Sequence, residues 1–196
     1  MIVIARTIFA LLLTVAVAAH ADEPKKTDTT KTGQRKAVST KLNWLPFDSV
    51  QKKFPVAPKP LFLYISQKGC EHCEYMDTAV FGRPEVARFV NENLTPVRVD
   101  IYLNTPLKVR DSLMDEEAFR QMLSIVGIPA YYFFDTTGRV IGVLDSEMDS
   151  LKFKRMLVFI REGHFFRTPW EKFVAMPEAS ETAINKHFPL APSIKK

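Results

Sequence analysis

The chain carries two cysteines, Cys70 and Cys73, in the run Cys70-Glu71-His72-Cys73. An apolar run of strand length precedes them and a helical pattern follows, so Cys70 falls at the first turn of a helix. There the unpaired backbone N–H groups and the positive end of the helix dipole favour thiolate over thiol. Thiolate is the nucleophilic form of sulfur. A two-residue spacer lets the second sulfur swing onto the first and release a bound partner. This pattern points to dithiol–disulfide exchange. The same spacing also serves half of a zinc site or a small structural disulfide. Tetrahedral zinc wants four ligands, whereas this chain has no third cysteine, and His20, His164 and His187 show no ligand spacing. No metal and no cofactor is expected.

The residues around the pair would tune it. A protonated His72 close to the thiolate stabilises the reduced form and makes the disulfide more oxidising. Glu71 opposes it by repelling the thiolate, or serves as an acid favoured in the first helical turn. Lys68, two residues before Cys70, offsets Glu71. Tyr75, Met76 and Trp44 read either as an apolar rim for a docked peptide or as contacts of the core.

Positioning these residues is the task of the surrounding elements. Order is expected from Leu42 onward, with a helical stretch over Asp48–Phe54 ending before Pro55. Leu61–Ser66 is a continuous apolar run that suits a central strand buried on both faces. The helix bearing the cysteines runs to Phe81, breaks at Gly82-Arg83-Pro84 and resumes with Val86, Phe89 and Val90 as its buried stripe. A strand follows at Thr95–Asp100, then a loop from Ile101 to Leu113. The next helix starts near Asp115, with Phe119, Met122, Leu123 and Val126 as its apolar stripe and Gly127 at its end. After Pro129, Tyr131–Phe134 and Arg139–Leu144 form a hairpin through Thr136-Thr137-Gly138. A long helix over Asp149–Glu162 buries Phe153, Met156, Leu157 and Ile160. Thr168-Pro169-Trp170-Glu171 reads as a capping box opening a short helix to Met176. These elements imply an α/β fold, a central mixed β-sheet flanked by helices, with a C-terminal helical extension.

Residues 1–21 read as a signal peptide: Arg6, a short apolar stretch, then Ala19-His20-Ala21. The stretch is shorter than the roughly 20 residues of a membrane span. The mature form is therefore expected outside the cytosol, without an integral membrane span, where disulfides persist. Residues 22–41 form a flexible basic linker, too poor in apolar residues to order itself. Residues 42–176 make the domain with its extension, and 177–196 a polar tail. The net charge of +5 comes without the basic–aromatic interleaving of a nucleic-acid binder, so no nucleic acid is expected as a partner.

The Cys70–Cys73 motif after a central strand, Gly127-Ile128-Pro129 further on, and the closing hairpin and helix resemble the thioredoxin-like superfamily, over residues 42–162. With the signal sequence and the extension containing Gly163-His164-Phe165-Phe166, the chain looks most like single-domain periplasmic thioredoxins. The resemblance implies a cis Pro129 beside the catalytic pair. It also implies a substrate-binding backbone at Gly127, Ile128 and Pro129. Cys70 would be the nucleophile and Cys73 the resolving cysteine, client proteins with disulfides the substrates, and a membrane electron donor the source of reducing equivalents. Three positions depart from the family. Gly69 replaces its Trp before the first cysteine, Tyr64 replaces its buried Asp, and Pro96 falls on its partner Lys. The proton acceptor for Cys73 is thus unassigned, and the insertion over 101–114 is expected to shape partner choice. Ile128 before the proline is the thioredoxin-like choice, and the chain lacks room for the helical insertion of strong oxidases. A reductase is therefore favoured over an oxidase or isomerase. A non-catalytic binding module with a structural disulfide, or a Cu(I) carrier using both sulfurs and His72, are the other readings.

Overall fold

Leu61, Leu63 and Ile65 point to one face of their strand, and Phe62 and Tyr64 to the other. All five are fully buried in the computed structural model, which describes residues 41–102 and 105–189. A strand with two apolar faces demands a layer on each side, and it receives both. The predicted signal peptide, and the linker apart from Lys41, lie outside the described residues.

The chain runs β1 (Leu45–Pro46), β2 (Leu61–Ser66), α1 (Glu71–Tyr75), α2 (Pro84–Asn93) and β3 (Thr95–Asp100). It continues with β4 (Leu107–Val109), β5 (Ser112–Met114), α3 (Glu116–Leu123), β6 (Ala130–Phe134) and β7 (Val140–Leu144), and closes with α4 (Ser150–Arg161), α5 (Trp170–Val174) and α6 (Pro177–His187). The main sheet has the order β1-β3-β2-β6-β7. β1 and β2 are parallel to β3, while β6 is antiparallel to both β2 and β7. This is the mixed α/β sheet expected from the sequence.

Phe62, Tyr64, Tyr131 and Phe133 pack with Val86, Phe89 and Val90 of α2 and Phe153, Met156 and Leu157 of α4. On the opposite face Leu61, Leu63, Ile65 and Val97 pack with Phe47, Phe54 and Phe119. Rings dominate the first layer: Phe62 stacks on Phe133 at 4.9 Å, and Tyr64 on Tyr131 at 5.5 Å. Trp44 sits in this layer against Phe62, Tyr64 and Phe81, so its role is packing. Met76 is fully buried as well, whereas Tyr75 remains exposed.

The structure departs from the sequence reading at several places. The stretch expected to be helical over Asp48–Phe54 holds a single 3-10 turn, Phe47–Ser49. Within 101–113, expected as a loop, β4 and β5 pair as a small hairpin. Arg110 ties it down through its backbone N–H to Gln51 O and its Nε to Phe54 O, each at 2.9 Å. α3 ends three residues earlier than expected because Ser124, at φ 55°, turns left-handed and caps the last carbonyls. Val126 thereby leaves the helix and is 87% exposed. Pro169, not Thr168, stands at the N-cap of α5 with no side-chain cap, so the capping box does not form.

The largest departure is the segment expected as a polar tail from Pro177. It forms α6, whose Ala183 and Ile184, with the following Phe188, join the core layer of Phe62 and Tyr64. Phe188 stacks on Phe89 at 4.9 Å, beneath the Lys154 ammonium. The apolar positions are one adjacent pair and a single residue four further on, among polar and charged neighbours, a stripe too sparse to stand out by periodicity. A second anchor is polar: Lys186 and His187 donate to Glu162, at the end of α4, at 2.9 Å each. Among the described residues no helix is long and apolar enough to cross a membrane.

Candidate active site around Cys70 and Cys73

β2 ends at Ser66 and the chain must reverse at once to lay α1 over the sheet. Gly69 makes that reversal at φ 75°, a left-handed conformation that favours glycine. Its Cβ position faces open space, so conformation and not crowding demands the glycine. The departure from the family's Trp therefore has a backbone reason.

Cys70 is then the N-cap of α1, and its Sγ accepts the Cys73 N–H at 3.2 Å. This is the helix-start geometry that stabilises negative sulfur. The two cysteines are joined as a disulfide, with Cα atoms 5.2 Å apart. They differ in access: Cys70 is half-buried and Cys73 is 2% exposed. An incoming sulfur can therefore reach only the first. Beyond Tyr75 the helix widens into a π-helical turn, Met76–Val80, before it breaks at Gly82. Glu71 and Glu74 stand exposed in the first turn, and Lys68 is exposed just ahead of it.

His72 does not hang free above the sulfurs. Its Nδ1 pairs with Glu147 Oε2 at 2.8 Å, with both side chains largely in solvent. Glu147 comes from the β7–α4 connection, 75 residues away, and sequence reasoning missed it. Strand order brings it here, since β7 runs antiparallel to β6 and delivers its end to the edge where α1 begins.

Gly127, Ile128 and Pro129 arrive at the same edge. Ile65 pairs with Ala130, so Pro129 lies one residue beyond, beside the exit of β2 toward Cys70. The Ile128–Pro129 peptide bond is cis, and Pro129 is buried. A Cβ on Gly127 would stand 3.0 Å from the Asp145 carbonyl oxygen, so this close approach of two loops needs a glycine. Exposed Val126 and Tyr102 border the edge, with Asp100 and Asp145.

Beneath the pair lies a polar group that the sequence did not place. Tyr64 is fully buried, and its hydroxyl donates to the Cys73 carbonyl at 3.4 Å. Burial pushes its pKa up, the Asp77 carboxylate adds to this, and Arg98 offsets part of it. The parallel register sets Phe62 opposite Pro96 and Tyr64 opposite Arg98, so the basic residue facing Tyr64 is Arg98. Its guanidinium lies 5.1 Å from the Tyr64 ring centre. It holds Asp77 in a two-pronged ion pair at 3.0 and 2.9 Å and donates from Nε to Ser66 Oγ at 3.0 Å. Asp77 follows Cys73 by one helical turn, a spacing visible in the sequence, but only strand pairing discloses Arg98 as its partner.

The thioredoxin-like domain family matches residues 47–161. Among solved structures, a thioredoxin-fold protein from Helicobacter pylori is 21% identical over 68% of this chain and 86% of its own, with a TM-score of 0.51. A thioredoxin from Thermus thermophilus is 18% identical over 61% and 86%, with a TM-score of 0.47. A DsbH oxidoreductase is 19% identical over 64% and 84%, with a TM-score of 0.44. A search of curated proteins finds no match. The fold with its Cys70–Cys73 pair supports thiol–disulfide oxidoreductase chemistry at the general level. From its sequence match and its sheet, the chain belongs to the thioredoxin-like family.

Proposed function

We propose that the protein reduces disulfides of client proteins in the periplasm, with Cys70 as nucleophile and Cys73 as resolving thiol. The observation that carries this is the unequal access of the two sulfurs, together with the Cys73 N–H aimed at Cys70 Sγ. In the forward direction the Cys70 thiolate attacks a client disulfide, and one client sulfur leaves as thiolate. Cys73 gives up its proton and attacks Cys70 Sγ, which releases the second client thiolate and leaves the Cys70–Cys73 disulfide. Two electrons pass from protein to client, and a membrane dithiol donor restores them.

The reductive direction rests on charge. Glu71 and Glu74 stand in the first turn, and the His72 ring is paired with Glu147 rather than directed to sulfur alone. Lys68 offsets Glu71 only from exposed solvent. The client is a polypeptide because the disulfide sits on an open edge. A groove of about 870 Å³, lined by residues such as Leu45, Val56, Lys59 and Thr95, lies at the other end of the sheet. At the disulfide, Gly127, Ile128 and Pro129 offer a backbone ledge to an extended client segment, and Val126 and Tyr102 give it apolar contact. The 101–114 segment contributes the Tyr102 side of that border. The periplasmic assignment rests on the signal-like residues 1–21.

The test is insulin-disulfide reduction with dithiothreitol, beside redox titration against glutathione. The reductase reading expects catalysis that Cys70→Ser abolishes, with a potential near that of thioredoxin, about −270 mV, and not that of DsbA, about −120 mV. Full activity in Cys70→Ser removes the nucleophile assignment. A potential at the DsbA end reverses the direction.

A further inference from the structure

Among the described residues three buried side-chain polar atoms have no hydrogen-bond partner: Ser150 Oγ, Arg155 Nε and the Tyr131 hydroxyl. Tyr131 is fully buried and belongs to β6, two residues after Pro129. It pairs with Tyr64 across the sheet, and the two rings stack with only 15° between their planes. Their hydroxyls therefore project side by side. That of Tyr64 reaches the Cys73 carbonyl, so that of the stacked Tyr131 lies on the same side of the sheet, toward the helix that carries the buried Cys73. A buried donor without an acceptor costs free energy, and such a group in a native interior calls for an explanation.

The neighbouring polar groups have partners of their own. Tyr64 donates to Cys73 O, Asp77 is held by Arg98, and Glu147 is held by His72. Burial raises the Tyr131 pKa strongly, and Tyr64, Asp77 and Glu147 add to the shift, so the hydroxyl keeps its proton and can donate it to an acceptor. A disulfide sulfur is a weak acceptor; the sulfur freed when the bond opens is a better one, strongest as the thiolate in which it leaves. We propose that Tyr131 is a positioning residue for the reduced state, its hydroxyl donating to the Cys73 sulfur once the disulfide opens. This rests on the redox reading above. With glutathione the exchange is protein disulfide plus two glutathione thiols giving protein dithiol plus glutathione disulfide. The Cys73 sulfur leaves with the electron pair of the broken S–S bond and takes up one of the two protons that the glutathiones lose. The hydroxyl has no partner before this step and gains one after it. Tyr131 thus biases the couple toward the dithiol.

Tyr131→Phe keeps the ring stack and removes only the donor. In glutathione titration the variant shifts toward the disulfide by about tenfold, a potential about 30 mV more negative. Urea unfolding of each redox form separates this from a structural effect. Oxidised Tyr131→Phe matches or exceeds the wild type, while the reduced form loses the same tenfold in its folding equilibrium. A shift under twofold, or equal losses in both forms, overturns the inference while a normally titrating wild type leaves the redox reading standing. A wild-type disulfide that does not exchange with glutathione overturns both.

Discussion

Replacing Arg98 with Met removes three interactions at once: the two-pronged pair with Asp77, the bond to Ser66 Oγ and the contact with the Tyr64 ring. The side chains of Arg98 and Asp77 are 36% and 31% exposed, which places the pair between two regimes. Surface pairs contribute about 0–1 kcal/mol, and breaking a buried pair costs about 3–5 kcal/mol. A loss of about 2–3 kcal/mol is expected for Arg98→Met, because Asp77 is left half-buried without its cation. Asp77→Asn should lose about 1–2 kcal/mol, since Arg98 keeps Ser66 and Tyr64. The double variant should fall short of the sum by about 1–2 kcal/mol, the coupling of the pair. Urea unfolding of the oxidised protein measures all three, read as midpoint shifts at constant slope. Arg98→Met within about 0.5 kcal/mol of wild type, or additive losses, would refute the view that this pair braces the active-site helix on the sheet.

Acid should loosen the C-terminal extension. Hydrogen bonds from Lys186, then His187 and His164, hold the Glu162 carboxyl down at about 2, against an ordinary 4.5. A depressed carboxyl adds stability above its unfolded value and loses it as pH falls, here from about 4.5 to about 2. For this partly exposed group the loss is about 1 kcal/mol. Urea midpoints across that range should converge between wild type and Glu162→Gln, and parallel curves would contradict it. Phe188→Ala removes a buried ring stacked on Phe89 and should cost about 2–3 kcal/mol, somewhat under the usual range for core Phe because the chain end can settle. Its glutathione potential should stay that of the wild type, and a loss under about 1 kcal/mol would mean that α6 is not part of the core.

What the sequence disclosed depended on the range of each interaction. Leu61–Ser66, the Val86, Phe89 and Val90 stripe and the Asp115 and Asp149 helix starts were readable because each signal lies within one element; both Asp side chains accept a backbone N–H of the first turn. The Cys70 cap was readable for the same reason. Val126 was misassigned because Ser124 took a left-handed turn that no periodicity encodes. α6 is not legible as a helix in the sequence because its apolar residues acquire meaning only against Phe89 and Phe173. The Tyr64, Arg98, Asp77 group and the His72–Glu147 pair were invisible because they depend on strand register and on loops brought to one edge from distant parts of the chain.

Exchange at this site requires Cys70 to be the accessible sulfur, held ionised at a helix start. Iodoacetamide labelling of the reduced protein from pH 4 to 10, with the site found by mass spectrometry, tests this most directly. The expected result is labelling at Cys70 well ahead of Cys73, with a midpoint below the ordinary thiol value of about 8.5. Equal labelling of the two cysteines, or a Cys70 midpoint at or above that value, would contradict it.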